Sequence, residues 1–135
     1  MFGFLKKKKD DYISNNQSKE EFILITEEEQ SKILLQIDEE KNLLFNARDN
    51  HEKAIILERI GLLYSRLGDD DSSIKFLEES LDNELSMGDG YKKLMTLYNS
   101  KRAKAAKNRD DDAIDYYMRK MDEMRNIAKK ATLTR

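Results

Sequence analysis

The chain has 135 residues, of which 27 are acidic, 25 are Lys or Arg and one is His, with no Pro, Cys or Trp. That length suits one domain. The missing Cys excludes disulfides, thiolate nucleophiles and Cys-ligated zinc. Zero Pro with only five Gly argues against a turn-rich β protein and for helices, whose interiors exclude both residues. The formal net charge of −2 conceals a division. Residues 1–9 carry four Lys and no acid, residues 10–90 carry 21 acids against 8 Lys or Arg, and residues 91–135 carry 13 Lys or Arg against 6 acids. An acidic middle between two basic ends favours head-to-tail self-association or attraction to charged partners, and salt weakens both.

Met1-Phe2-Gly3-Phe4-Leu5 is followed directly by Lys6, Lys7, Lys8 and Lys9. The order is the reverse of a secretory signal, and Phe at position 2 excludes myristoylation. Phe2, Phe4 and Leu5 beside four ammonium groups suit an anionic membrane surface, with each Lys contributing about 1 kcal/mol. Liposome flotation with and without residues 1–9 would register that attachment. Residues 1–20 as a whole read as a flexible basic and polar tail, and 21–135 as the folded domain. No apolar run reaches the roughly 18 residues of a membrane span.

Phe22-Ile23-Leu24-Ile25 suits either a packed extended segment or a helical turn. Thr26 followed by Glu27, Glu28 and Glu29 is an N-cap with acids in the first turn. Ile33, Leu34, Ile37, Leu44 and Ala47 then continue at helical spacing, predicting a helix over 28–48. Asp49-Asn50 breaks it. A second helix, 52–67, carries Leu57, Ile60, Gly61, Tyr64 and Leu67, and Gly68 ends it in the left-handed conformation. Asp69 to Asp71 cap a third helix bearing Ile74, Leu77, Leu81 and Leu85. After Gly88-Asp89-Gly90, a fourth spans 89–107 with Tyr91, Leu94, Met95 and Tyr98 inward. Asn108 is a second left-handed stop. Asp110 to Asp112 cap a fifth helix whose buried stripe is Ile114, Tyr117, Met121, Met124 and Ala128. The fold class is therefore all-α, with about five antiparallel helices.

The chain also repeats itself. Tyr64 and Tyr98 lie 34 residues apart, as do Ile60 and Leu94. The turns Gly68 to Ile74 and Asn108 to Ile114 match at a spacing of 40, which implies a six-residue insertion in the second copy at Lys101 to Lys107. In the first copy Leu57, Ile60, Gly61, Tyr64, Gly68, Ser73, Leu77 and Ser80 alternate large and small residues as closely packed helices require. This 34-residue helix–turn–helix unit resembles the tetratricopeptide repeat, with Ser73 and Ser80 where that family usually has Ala. The second copy is degenerate: Met95 stands at a small position, Lys120 at an Ala position, and Leu85 replaces the usual Pro between units. The resemblance covers about residues 54–128. It implies stacked antiparallel helix pairs whose first helices line a groove that holds a partner's peptide or helix.

Carried to this chain, that groove comprises Ile55, Arg59, Leu62 and Arg66 from one helix and Lys92, Lys93, Thr96 and Asn99 from the next. Basic residues around an apolar anchor suit an acidic peptide. Glu58 and Leu62 occupy positions that the carboxylate-clamping members of the family fill differently, which argues against that mode. Two units make a short array, and repeat units need neighbours to bury their flat faces. With Tyr116 and Met118 on the last helix, self-association is expected, most simply as a dimer.

The residues show no catalytic, cofactor or metal site. His51 reads as exposed in a polar loop. Asp69 to Asp71 fail as a calcium loop, because Ile74 and Ser80 stand where Gly and Glu are needed. No phosphate-binding glycine loop or nucleophile–base pair is legible. Lys101, Arg102, Lys104, Lys107 and Arg109 form a basic patch open to nucleic acid or a ribosomal surface, but without interleaved aromatics or a basic pI. The sequence thus reads as a non-enzymatic, cytoplasmic protein–protein interaction module, peripheral at the inner membrane surface through residues 1–9. A nucleic-acid or ribosome accessory protein and a self-assembling structural protein are the alternatives.

Overall fold

Five helices account for most of the chain in a computed structural model, which describes residues 25–133. They are α1 (Glu27–Phe45), α2 (Asn50–Arg66), α3 (Asp70–Asn83), α4 (Asp89–Lys107) and α5 (Asp111–Leu133). The segments 1–9 and 1–20 singled out from sequence lie outside the described residues. Contacts divide the chain after Gln30, inside α1. On the N-terminal side of that division, Thr26 and Glu29 form a reciprocal capping box. Thr26 Oγ1 accepts from the Glu29 N–H at 3.0 Å, and Glu29 Oε1 accepts from the Thr26 N–H at 3.1 Å, so two otherwise unpaired donors are satisfied.

Beyond Gln30 the tightest seam is between α2 and α3. A Cβ added at Gly61 would stand 2.7 Å from both Cγ and Cδ2 of Leu77 and 3.2 Å from its backbone N. Two buried hydroxyls cross the same seam. Ser73 Oγ donates to the Gly61 carbonyl and Ser80 Oγ to the Ala54 carbonyl, each at 2.7 Å. Serine is small enough for the approach, and its hydroxyl is satisfied by a second lone pair on a helical carbonyl. Around this seam Ala54, Ile56, Leu57 and Ile60 of α2 are buried.

The α4–α5 pair extends the core. Leu77, Leu94, Leu97, Tyr98 and Met124 form its centre, with Met95, Tyr117 and Met121 packed beside them. Met95 thus fills space where the first copy has Gly61. Of the stripe expected on α5, only Met124 is fully buried; Ile114, Tyr117, Met121 and Ala128 are half-buried, while Tyr116 and Met118 are exposed. At the other end of the bundle, α1 buries only Ile33 and Ile37 and leaves Leu34, Leu35, Leu43 and Phe45 exposed. Two buried Ile contribute about 1.5–3 kcal/mol each. The Lys41 ammonium adds a polar tie, donating to the Tyr64 hydroxyl at 3.0 Å and standing 5.6 Å from the Phe76 ring centroid.

Both helix pairs turn in the same way. After α2, the Gly68 N–H reaches the Ser65 carbonyl and the Asp69 N–H the Tyr64 carbonyl; after α4, Arg109 reaches Ala106 and Asp110 reaches Ala105. This double bond pattern closes a helix when the residue after the cap is left-handed. Asp69 and Asp110 then cap the next helix, accepting from the N–H groups of Ser72 and Ala113. Gly68 has φ 81° as expected, but the second left-handed residue is Arg109, φ 58°, and not Asn108, φ −90°. The stop falls one residue late because Asn108 itself completes the last turn, its N–H bonded to the Lys104 carbonyl. Two further expectations are corrected. Leu85 lies beyond α3, which ends at Asn83, and is 42% exposed. His51 sits in the first turn of α2 instead of a loop, because Asp49 caps the helix and starts it two residues earlier, accepting from the Glu52 N–H.

Gly61→Val should lower the unfolding free energy by about 2–3 kcal/mol, since backbone as well as Leu77 must yield. Urea denaturation measures it, and an unchanged midpoint would contradict the close seam. Arg109→Gly should raise stability by about 0.5–1 kcal/mol by removing a side chain from a left-handed position. Thermal melts of the two proteins check the sign.

Candidate protein-interaction groove

The sequence-derived groove divides into two places. Arg59, Leu62 and Arg66 line a cleft of about 280 Å³ together with Leu63 and, from α1, Gln36, Glu39 and Glu40. Glu40 Oε1 accepts from Arg59 Nε at 2.9 Å. Arg59 therefore already has a carboxylate, and the cleft carries mixed charge instead of the uniformly basic character expected from α2 alone. Leu62 is half-buried and also packs against the central core, so it serves the fold as well as the cleft. Arg66 and Ile55 remain exposed; Ile55 is outside the cleft lining.

The α4 residues do not join this cleft. Lys92, Thr96 and Asn99 are exposed and Lys93 is half-buried. The Thr96 hydroxyl donates to the Lys92 carbonyl at 3.1 Å. Asn99 Oδ1 accepts from Arg102 Nε at 3.1 Å and Nη2 at 3.0 Å. Lys101, part of the expected basic patch, is bound to Asp71 at 2.7 Å. That hydrogen bond lowers the Asp71 pKa and raises that of Lys101. The Asp71 carboxylate is largely exposed, so the pair counts little in stability.

Glu58 has a different task from any seen in the sequence. Its Oε2 accepts from the Gly90 N–H at 2.6 Å, at the start of a helix whose N-cap, Gly88, offers no side-chain bond. A carboxylate from α2 thereby caps α4, where the unpaired N–H groups and the helix dipole favour negative charge. Gly90 leaves the room: an added Cβ would lie 2.6 Å from the same oxygen. No local motif announces this cap, since donor and acceptor are 32 residues apart.

A second cleft, about 150 Å³, opens where α3, α4 and α5 meet, with Glu78, Tyr98, Lys120 and Met124 among its lining. Tyr98 is 2% exposed and its hydroxyl donates to Glu78. Lys120 reaches Glu78 at 3.8 Å and Glu123 at 3.6 Å and stands 6.0 Å from the Tyr98 ring centroid. Lysine at a usual alanine position is the sequence signal for this polar group. Burial first, then the hydrogen bond and charge of Glu78, push the Tyr98 hydroxyl far above the ordinary phenol value. Among the described residues no group of three or more His, Cys, Asp or Glu is arranged to hold a metal ion. None of the described helices is long and apolar enough to cross a membrane.

The Tyr98 shift has a sign for stability. An unfolded phenol ionises near about pH 10, whereas the buried one stays neutral there. Its contribution is therefore complete below that pH and declines as pH rises beyond it. Tyr98→Phe should be less stable near neutrality but lose less stability on passing from pH 9 to about pH 11. Urea midpoints at both pH values measure this; parallel losses in the two proteins would reject it.

No family model matches the chain, and neither does any curated protein or solved structure. The geometry by itself establishes an all-α bundle of five helices among the described residues, with antiparallel helix pairs packed as in a helical-repeat module.

Proposed function

We propose that this chain is a non-enzymatic module of tetratricopeptide type that brings proteins together through the outer faces of α2 and α4. The observation that carries this reading is the α2–α3 seam. A glycine admits the facing leucine, and two small side chains cross at the remaining close points. Gly61, Ser73, Leu77 and Ser80, which helped to carry the resemblance, all lie at this seam. The identical hydrogen-bonded turn after α2 and α4 supports a duplicated unit. Such a scaffold supplies a rigid face on helices, which suits recognition of an extended or helical segment. Arg66 beside the apolar base of the α1–α2 cleft favours a partner with an acidic group next to an apolar anchor.

Arg59 is a poor probe, because losing its bond to Glu40 would loosen α1. Ile55 and Arg66 are exposed and serve better. After affinity capture, the purified partner is titrated against wild type and Ile55→Asp/Arg66→Glu protein. The double variant should bind about tenfold or more weakly. Equal affinity, with the fold intact by circular dichroism, would remove the α2 face as the contact surface.

A further inference from the structure

The charge division of the chain has a spatial form on the two sides of α4. Leu94, Leu97, Tyr98 and Ala105 are buried and mark its inner side. With successive residues turned by about 100°, Lys92, Thr96, Ala103 and Lys107 fall on the opposite side, with Lys93 and Lys104 at its edge. From Gly90 to Arg109 the chain holds seven Lys or Arg and no Asp or Glu. Lys101 is paired with Asp71 and Arg102 with Asn99, and Lys104 acts on Asp71 only through space, so Lys92, Lys93 and Lys107 with Lys104 leave this side of the helix basic. Like charges on one helix face repel, and an anionic surface would relieve them.

The inner side of α4 carries the other sign nearby. Leu94 and Tyr98 form part of the cleft between α3 and α5, whose lining includes Glu78, Asp82 and Glu123 with Leu81 and Ile127. Lys120 is the one cation in that lining and is already shared between Glu78 and Glu123. A lysine entering from outside could lay its methylene stem along Leu81 and Ile127 and its ammonium against Asp82.

We propose that the basic outer side of α4 docks on the acidic α3–α5 cleft of a second copy of this chain, in a head-to-tail contact. The proposal assigns an occupant to the α4 face and rests on reading that face as a protein-contact surface. It does not depend on what binds the α2 side. Nucleic acid fits less well. Tyr98 is buried, Tyr91 is half-buried with its hydroxyl bonded to the Met124 carbonyl, and α4 offers no exposed ring for base stacking. Because the two surfaces differ, the contact is heterologous: a first dimer leaves one face of each kind free and extends unless its rotation closes a ring.

Sedimentation velocity on the full chain, up to about 100 μM, should show association at low salt that weakens about tenfold or more at high salt. Lys104→Glu/Lys107→Glu and Asp82→Lys/Glu123→Lys, all at exposed positions, should each be monomeric. Mixing the two should restore association, because each reversed face then meets its complement. Ile55→Asp/Arg66→Glu should associate like wild type, so failure here is separable from failure of the α2 groove. A monomer at every concentration, or association indifferent to both reversals, overturns the proposal. So does the α4 reversal abolishing binding to a single-stranded RNA probe while self-association is absent, which would make the face a nucleic-acid surface.

Discussion

The approach of α2 to α3 at Gly61 is the constraint on which the rest of the bundle depends. With Leu77 occupying the space where any Cβ would project, the two helices lie closer than ordinary side chains permit. The neighbouring crossing points must then also be small, and Ser73 and Ser80 meet that need while bonding their hydroxyls across the seam. The close pairing holds the outward side of α2 in a fixed position relative to α4. Glu58 can then reach Gly90 and cap a helix that lacks a cap of its own. Tyr98, on the inner side of that helix, is enclosed against α3 and Glu78.

Electrostatics follows the same arrangement. An exposed ion pair is worth little by itself, and the chief effect of Lys101–Asp71 and Arg59–Glu40 is on which charges are already paired within the chain. Arg59 is withdrawn by α1, and Lys101 by α3. What remains is a basic outer side of α4 and a carboxylate-rich cleft behind it. The basic side draws on α4 alone, whereas the cleft combines Glu78 and Asp82 of the acidic middle with Glu123 of α5.

Element order, the breaks at Asp49, Gly68 and Gly88, and the inward Leu57, Ile60, Gly61, Leu94 and Tyr98 were legible in the sequence, because helical periodicity and capping are local, whereas the buried Ile56 and Leu97 were not singled out. The misses have local causes too. Asn108 and Arg109 are both acceptable next to a helix end, and only the closing hydrogen bonds select which becomes left-handed. Leu85 keeps the apolar spacing of α3 but falls after Asn83. His51 joined α2 because Asp49 captured the first turn. The groove was half legible. Arg59, Leu62 and Arg66 do share a cleft, yet nothing in their spacing announces that α1 would bring Gln36, Glu39 and Glu40 beside them.

The sequence by itself determined an all-α chain of five helices, most of its helix breaks and an uneven charge distribution, since helix period and capping follow from residues within a few turns of one another and charge from composition alone. Tertiary structure alone decided which charges are spent internally, which helix end Glu58 caps, and that the α2 and α4 faces are separate surfaces. Those outcomes depend on groups distant in sequence meeting at hydrogen-bond distance, as the Glu40 carboxylate meets Arg59 and the Glu58 carboxylate meets the Gly90 N–H. Such meetings are set by the packing of whole helices, for which periodicity along one helix carries no signal.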